Sequence, residues 1–266
     1  MCNVSVISKE LIEKWKQHDP FVGDVVNIIE KDEEVKALLE MSNINAVGRL
    51  GYNDHGPVHA KIVAGTSLEI LGLLLKKNVE LTTIKQGTAK SIDEVKFILV
   101  MASYLHDIGN SIHREYHEAI GSLLAKDIID RIIQSMFPNI GPRRYFLRQE
   151  ILSAIFSTEM ETKPLTIEAS IVKLADGLDM SEGRARLPYK MGKVDMHSLS
   201  ALNVKRVQLT CDETAPIVVE VFLGDMAGFF QVERVLLPKL ESGKLKGMVR
   251  IDIFDSKNNK VFSVAT

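Results

Sequence analysis

The sequence predicts an α+β chain: an all-α bundle over residues 1–195, followed by a small β-β-α-β-β unit over residues 196–266. Three observations predict it. Apolar residues recur at helical spacing through most of the first 195 positions. One of these runs, ending in "YLHDIG", is apolar on every face, which marks a central helix. Near residue 200 the pattern changes to short β-branched runs separated by turn residues. A chain of 266 residues is long enough for one large domain or two modest ones with a real core.

The elements follow in order. "SKELIEKW" opens with Ser8 as its expected N-cap, and "DEEVKALLEMSNI" carries apolar residues at helical spacing. Residues 57–77 read as one long helix, with Pro57 in its first turn and Lys76 and Lys77 in its last. "SIDEVKFILVMASYLHDIG" begins with a capping box, Ser91 and Glu94, and is expected to end at Gly109. "HEAIGSLLAKDIIDRIIQSMF" is amphipathic and stops at Pro138. "RRYFLRQEILSAIFST" and "TIEASIVKLADGLDMSEG" complete the bundle, the latter with Ile167, Ile171, Leu174 and Leu178 on one stripe. Beyond residue 200, "NVKRVQLTC" and "PIVVEVFLG" flank the turn "DETAP" as a hairpin. "AGFFQVERVLLPKLESG" is helical, with Pro238 expected to end or kink it. "GMVRIDIFD" and "KVFSVAT" flank "SKNN" as a second hairpin.

Composition excludes several classes of function. A formal net charge of -2 provides no global field toward nucleic acid or an anionic membrane, so neither is an expected partner. The most apolar stretches, "ILGLLL" and "FILVMASYL", fall short of the roughly 20 residues a bilayer requires. The N-terminus lacks the cationic start and apolar core of a signal peptide. The two cysteines, Cys2 and Cys211, are far apart and form no CxxC pair, which suits a reducing cytosol. A cytoplasmic protein is expected.

Chemistry concentrates in three places on the helical part. His59 sits early in one helix, the pair His106 and Asp107 ends the most apolar helix, and Asp176 lies inside the apolar "VKLADGLD". Each has an ordinary alternative: a satisfied histidine, a chance pair, or an aspartate that caps a helix or pairs with Lys173 one turn earlier. A carboxylate in so apolar a segment must be paired, hydrogen-bonded or bound to a metal. Imidazole and carboxylate together suit Mn, Fe, Co, Ni, Zn and, with more oxygen, Mg.

This ordered set, His59 in "HAKIVAG", His106 and Asp107 in "YLHDIGN", and Asp176 in "VKLADGLDMSEGRAR", resembles the HD superfamily of metal-dependent phosphohydrolases. The resemblance covers roughly residues 45–190. The whole chain, with its β-rich tail, resembles an archaeal-type branch of that superfamily whose members are uncharacterised. The resemblance implies an all-α HD-type bundle in which His59, His106, Asp107 and Asp176 ligate one divalent metal. His55, one turn before His59, holds a ligand in place, faces substrate or caps the helix. His113 and His117 lie where some members bind further metals. Asn110 stands where several branches place His, Lys or Glu, and no histidine lies near Ser157, so a mononuclear site is expected.

The implied chemistry is hydrolysis of a phosphate ester of a small molecule, a nucleotide being the expected class, by metal-activated water. Asp107 would ligate the metal and orient the water, and His117 or His113 would protonate the leaving group. Arg184 and Arg186, then Lys61, are the expected cations for phosphate, with His55 also facing substrate. Arg143, Arg144 and Arg148 read as surface charges, and His197 as a linker residue. The alternative is a degenerate domain that binds a nucleotide or other phosphorylated ligand as a sensor without turnover. The edges of the tail's strands call for pairing or protection, which favours a homodimer.

Overall fold

The computed structural model describes residues 3–181 and 200–266. The helical part comprises α1 (Glu10–His18), α2 (Pro20–Lys31), α3 (Glu33–Asn43), α4 (Pro57–Lys76), α5 (Thr82–Gln86), α6 (Ile92–Leu105), α7 (His117–Met136), α8 (Arg144–Phe156) and α9 (Ile167–Leu178). Local chemistry sets many of the starts. Asp19 and Asp32 accept the backbone N–H groups of Val22 and Val35 at the heads of α2 and α3. Ser91 Oγ accepts the N–H of Glu94, but the Glu94 carboxylate turns to the N–H of Lys90, so only half of the expected capping box forms. α1 starts at Glu10 with Lys9 in the cap position and no side-chain cap, one residue past the expected Ser8.

α4 and α6 form the centre. α6 is buried without interruption from Phe97 to Leu105 and packs against α4, α8 and α9. α4 packs against α1, α6 and α9. By length and composition α4 is apolar enough to cross a membrane, yet twelve of its residues are buried among the other helices, which marks it as a core helix. α6 ends at Leu105, before the expected Gly109, because the chain tightens there into a 3-10 turn at Ile108–Ser111.

The strands are β1 (Ser5–Val6), β2 (Val204–Thr210), β3 (Ile217–Leu223), β4 (Val249–Phe254) and β5 (Lys260–Ala265), in sheet order β1-β2-β3-β4-β5. β1–β2, β2–β3 and β4–β5 are antiparallel, as the two expected hairpins require. β3 and β4 are parallel, Ile217 opposite Val249 through Phe222 opposite Phe254. A parallel pair needs a crossover, and a helical run provides it. That run is a 3-10 turn (Met226–Gly228), α10 (Phe229–Gln231), a π-helical turn (Val232–Leu236) and α11 (Leu237–Glu241). Pro238 does not end this run. It occupies the first turn of α11, where its missing N–H costs nothing.

Two features tie the helices over the expected 1–195 unit to the sheet of the expected 196–266 unit. β1, from the N-terminus, supplies an edge strand of the C-terminal sheet. Apolar residues of the helices and of the sheet, among them Leu68, Ile98, Val219 and Ile251, belong to one continuous core cluster. Cys211 is disulfide-bonded, which departs from the reduced thiol expected.

Candidate metal centre

Four side chains from three segments converge at one end of α4. His59 lies in the first turn of α4, and Pro57 sets that turn. His106 is the last residue of the α6 path, and Asp107 follows as the chain enters the 3-10 turn. Asp176 lies in the last turn of α9. His59 Nε2 stands 3.2 Å from His106 Nε2, 3.1 Å from Asp176 Oδ1 and 3.5 Å from Asp107 Oδ2. His106 Nε2 stands 3.4 Å from Asp107 Oδ2 and 3.7 Å from Asp176 Oδ1. Metal–ligand bonds of about 2.0–2.2 Å place neighbouring ligand atoms about 3.0–3.6 Å apart, so this spacing suits a shared cation.

The hydrogen bonds behind the imidazoles make the same point more strongly. His59 Nδ1 meets Asp179 Oδ2 at 2.7 Å, and His106 Nδ1 meets the Ser103 carbonyl at 2.9 Å. An acceptor at each Nδ1 places the proton there, leaving Nε2 as a lone pair on both neutral rings. Two lone pairs would then face each other across 3.2 Å, and Asp107 Oδ2 is buried beside them without a hydrogen-bond donor among the described residues. Without a cation the cluster must take up protons. Burial disfavours the charged form of His106, but Asp107 and Asp176 outweigh it and push the imidazole up to about 10. Burial likewise opposes ionisation of Asp107 and Asp176, yet the charge of His106 on the first and of Lys239 on the second hold both carboxyls well below their usual range. A divalent cation replaces those protons, so the residues present fit a metal.

The other oxygen of Asp107 faces the opposite way. Asn110 Nδ2 donates to Asp107 Oδ1 at 3.1 Å and to the Asp107 carbonyl at 3.0 Å. His117 Nε2 lies 3.3 Å from the same Oδ1, and His117 Nδ1 lies 2.9 Å from Glu118 Oε2. Burial lowers the His117 pKa, but Asp107 and Glu118 outweigh it, so the ring holds its proton above the ordinary range. The approach that allows this depends on Gly109. A Cβ there would stand 1.9 Å from the His117 carbonyl oxygen, so no other residue lets the 3-10 turn press on the head of α7.

His106, Asp107, His117, Asp176 and Asp179 line a cavity of about 330 Å³ whose other walls include Tyr52, Arg114, Met160, Met180 and Val235. The structure brings together His59, His106, Asp107 and Asp176, and adds His117 and His55 to the cavity wall. His55 Nδ1 meets the Asn53 carbonyl at 2.6 Å. Two expectations fail. Lys61 does not face the cavity: its ammonium pairs with Glu30 at 2.8 Å, because the residue two places after His59 lies on another side of α4, toward α1 and α2. His113 is exposed and caps its own turn, its Nδ1 accepting the N–H of Glu115, so it is no proton donor here. Arg184, Arg186 and His197 lie outside the described residues. Lys173 does not pair with Asp176 either. It donates to the carbonyls of Glu159, Met160 and Thr162.

Asp179, Arg114 and Lys239 join the site without having been expected from the sequence. Asp179 stands one turn after Asp176 in the same quoted segment, and that spacing was its signal. Arg114 sits between His113 and His117, with its Nη1 3.0 Å from His117 Nε2 and 3.3 Å from Asn110 Oδ1. Lys239 is buried in α11 and pairs with Asp176 Oδ2. A lysine within the apolar run "VLLPKL" was the available sign.

Fold and site together define a helical domain built around a cluster of His59, His106 and Asp176 that could hold a metal, with Asp107 beside it, and the chain belongs to the HD-domain family. The family pattern matches residues 67–181, which include His106, Asp107 and Asp176, with His59 just before them. The chain is similar to Uncharacterized protein MJ1020 of Methanocaldococcus jannaschii, at 39% identity over 236 residues, covering 89% of this chain and 90% of that protein. No solved structure matches the chain.

Proposed function

We propose that this protein is a metal-dependent phosphohydrolase that cleaves a phosphate ester of a small molecule, a nucleotide being the favoured class. One observation carries the reading: Nε2 of His59 and Nε2 of His106 meet at 3.2 Å beside Oδ2 of Asp107, and His106, Asp107 and Asp176 line a cavity. His59, His106, Asp107 and Asp176 would hold one divalent ion among Mn, Co, Ni, Fe, Zn and Mg. The bound ion supplies a water acidic enough to act as nucleophile near neutral pH and a positive charge for a phosphoryl oxygen. Asp107 divides its carboxylate, with Oδ2 toward the imidazoles and Oδ1 toward His117 and Asn110. The protonated His117 is therefore positioned to give a proton to a leaving oxygen entering the cavity, and Asp107 Oδ1 to align it. Arg114, beside His117 and 5.7 Å over the Tyr52 ring, adds positive charge at the cavity wall. The mixed wall of Tyr52, Met160, Met180 and Val235 supports a ligand with an apolar or aromatic portion beyond its phosphate.

The test is phosphate release from p-nitrophenyl phosphate, its bis-ester and a nucleotide panel, each with several divalent metals. The wild type is expected to turn over at least one of them, and Asp107→Ala to lose about 100-fold or more. No turnover on any substrate, with the metal bound, would overturn the reading and favour a sensor that binds without hydrolysis.

A further inference from the structure

The crossover between β3 and β4 does more than join two strands. Gln231, Val235 and Lys239, each four residues after the last, all line the cavity. Positions four apart share a face of a helical run, so the run directs one stripe at the metal cluster. A π-helical turn, Val232–Leu236, lies within that stripe, and such turns often mark functional sites. Lys239 is its most committed member. Its side chain is about nine-tenths removed from solvent, and its ammonium reaches Asp176 Oδ2 and the Thr158 carbonyl, the latter at 3.3 Å.

α9 is shaped to receive it. Gly177 lies inside α9, where glycine is unfavourable. A Cβ at Gly177 would stand 3.0 Å from Lys239 Cδ and 3.6 Å from Leu236 Cδ1. The glycine leaves the path along which the lysine stem crosses the helix to the cluster. Asp176 uses Oδ1 toward His59 and Oδ2 toward Lys239, so the lysine touches the cluster without standing between the imidazoles. An ammonium has three donors, and its two acceptors among the described residues leave one for the cavity.

We infer that the C-terminal helical run completes the substrate site, and that Lys239 binds the substrate's phosphoryl group beside the metal. This rests on the phosphohydrolase reading. Val235 and Gln231, farther along the stripe, then contact the part of the substrate beyond the phosphate, with an apolar surface and an amide.

The experiment uses the full chain loaded with Mn. Inorganic phosphate binding is followed by calorimetry, p-nitrophenyl phosphate hydrolysis by KM and kcat, and metal content by elemental analysis. Lys239→Met is expected to keep its metal and to weaken phosphate binding about tenfold or more, the scale of one charged hydrogen bond. Lys239→Arg is expected to stay within about threefold of wild type. Unchanged phosphate affinity in Lys239→Met would overturn the inference. So would loss of its metal, because removing a cation beside Asp176 strengthens that carboxylate for a metal, and a loss would mark Lys239 as a structural neutraliser. Should the methionine variant fail to fold, Lys239→Gln, which retains a donor for Thr158, gives the same reading. Phosphate affinity that depends on Lys239 without turnover of any ester would sink the hydrolase reading and leave this one. Turnover with phosphate affinity independent of Lys239 would do the reverse.

Discussion

Asp179 illustrates how the cluster is held at the scale of single residues. Its carboxylate fixes the proton of His59 on Nδ1 and so aims the Nε2 lone pair at the cluster. Carboxylates placed behind metal-binding histidines orient the ring and raise its basicity. Asp179→Asn keeps the shape but removes the charge, and is expected to weaken divalent metal binding about 10–100-fold, measured by competition with a chromogenic chelator. An affinity equal to wild type would show that the ring is held without it. His59, His106, Asp107 and Asp176, which the structure brings together, were legible in the sequence because the HD pattern sets imidazole and carboxylate in a fixed order on separate apolar helices. Lys61 misled because adjacency to His59 in sequence says nothing about which side of α4 a residue faces. His113 misled because it and His117 share the "HREYH" segment, and only the turn before α7 decides that one is buried and the other exposed.

At the scale of elements, the approach of the 3-10 turn to α7 determines the second half of the site. Asp107 leads into that turn, and His117 is the first residue of α7. Gly109 sits between them, with the His117 carbonyl where its Cβ would be. Gly109→Ala must push the two backbones apart. It is expected to cost about 1–3 kcal/mol of stability, the usual range of overpacking, and to separate His117 from Asp107. Denaturant unfolding measures the first effect, and the His117 ring resonances in a pH titration report the second. A variant with wild-type stability would show that the contact is loose. The sequence marked Gly109 as a helix end, but its real task is close packing against a segment that follows it, which no periodicity reveals. The helices themselves were legible because α4 and α6 are apolar on most faces. α2 was missed, although Asp19 and Pro20 supply a cap and a first-turn proline.

At the scale of the whole molecule, helices and sheet act as one body. The run between β3 and β4 is long enough to make a parallel crossover, and its last turns pack on α9 next to Asp176. The β-β-α-β-β pattern was readable from alternation and turn residues. Its consequence was not, because the docking of α11 on α9 is a contact between residues far apart in the chain. β1 was equally hidden: two residues at the N-terminus carry too little pattern to predict a strand.

A direct titration tests whether His59, His106, Asp107 and Asp176 together hold one metal ion. Manganese would be titrated into chelator-treated protein by calorimetry at several pH values between 6 and 8, with His106→Ala as control. One ion per chain is expected. Proton release on binding is expected too, with affinity rising up to about tenfold per pH unit for each proton displaced, because the metal-free cluster holds His106 protonated. The variant should bind far more weakly. Absence of binding by the wild type, or equal binding by His106→Ala, would contradict a shared metal site.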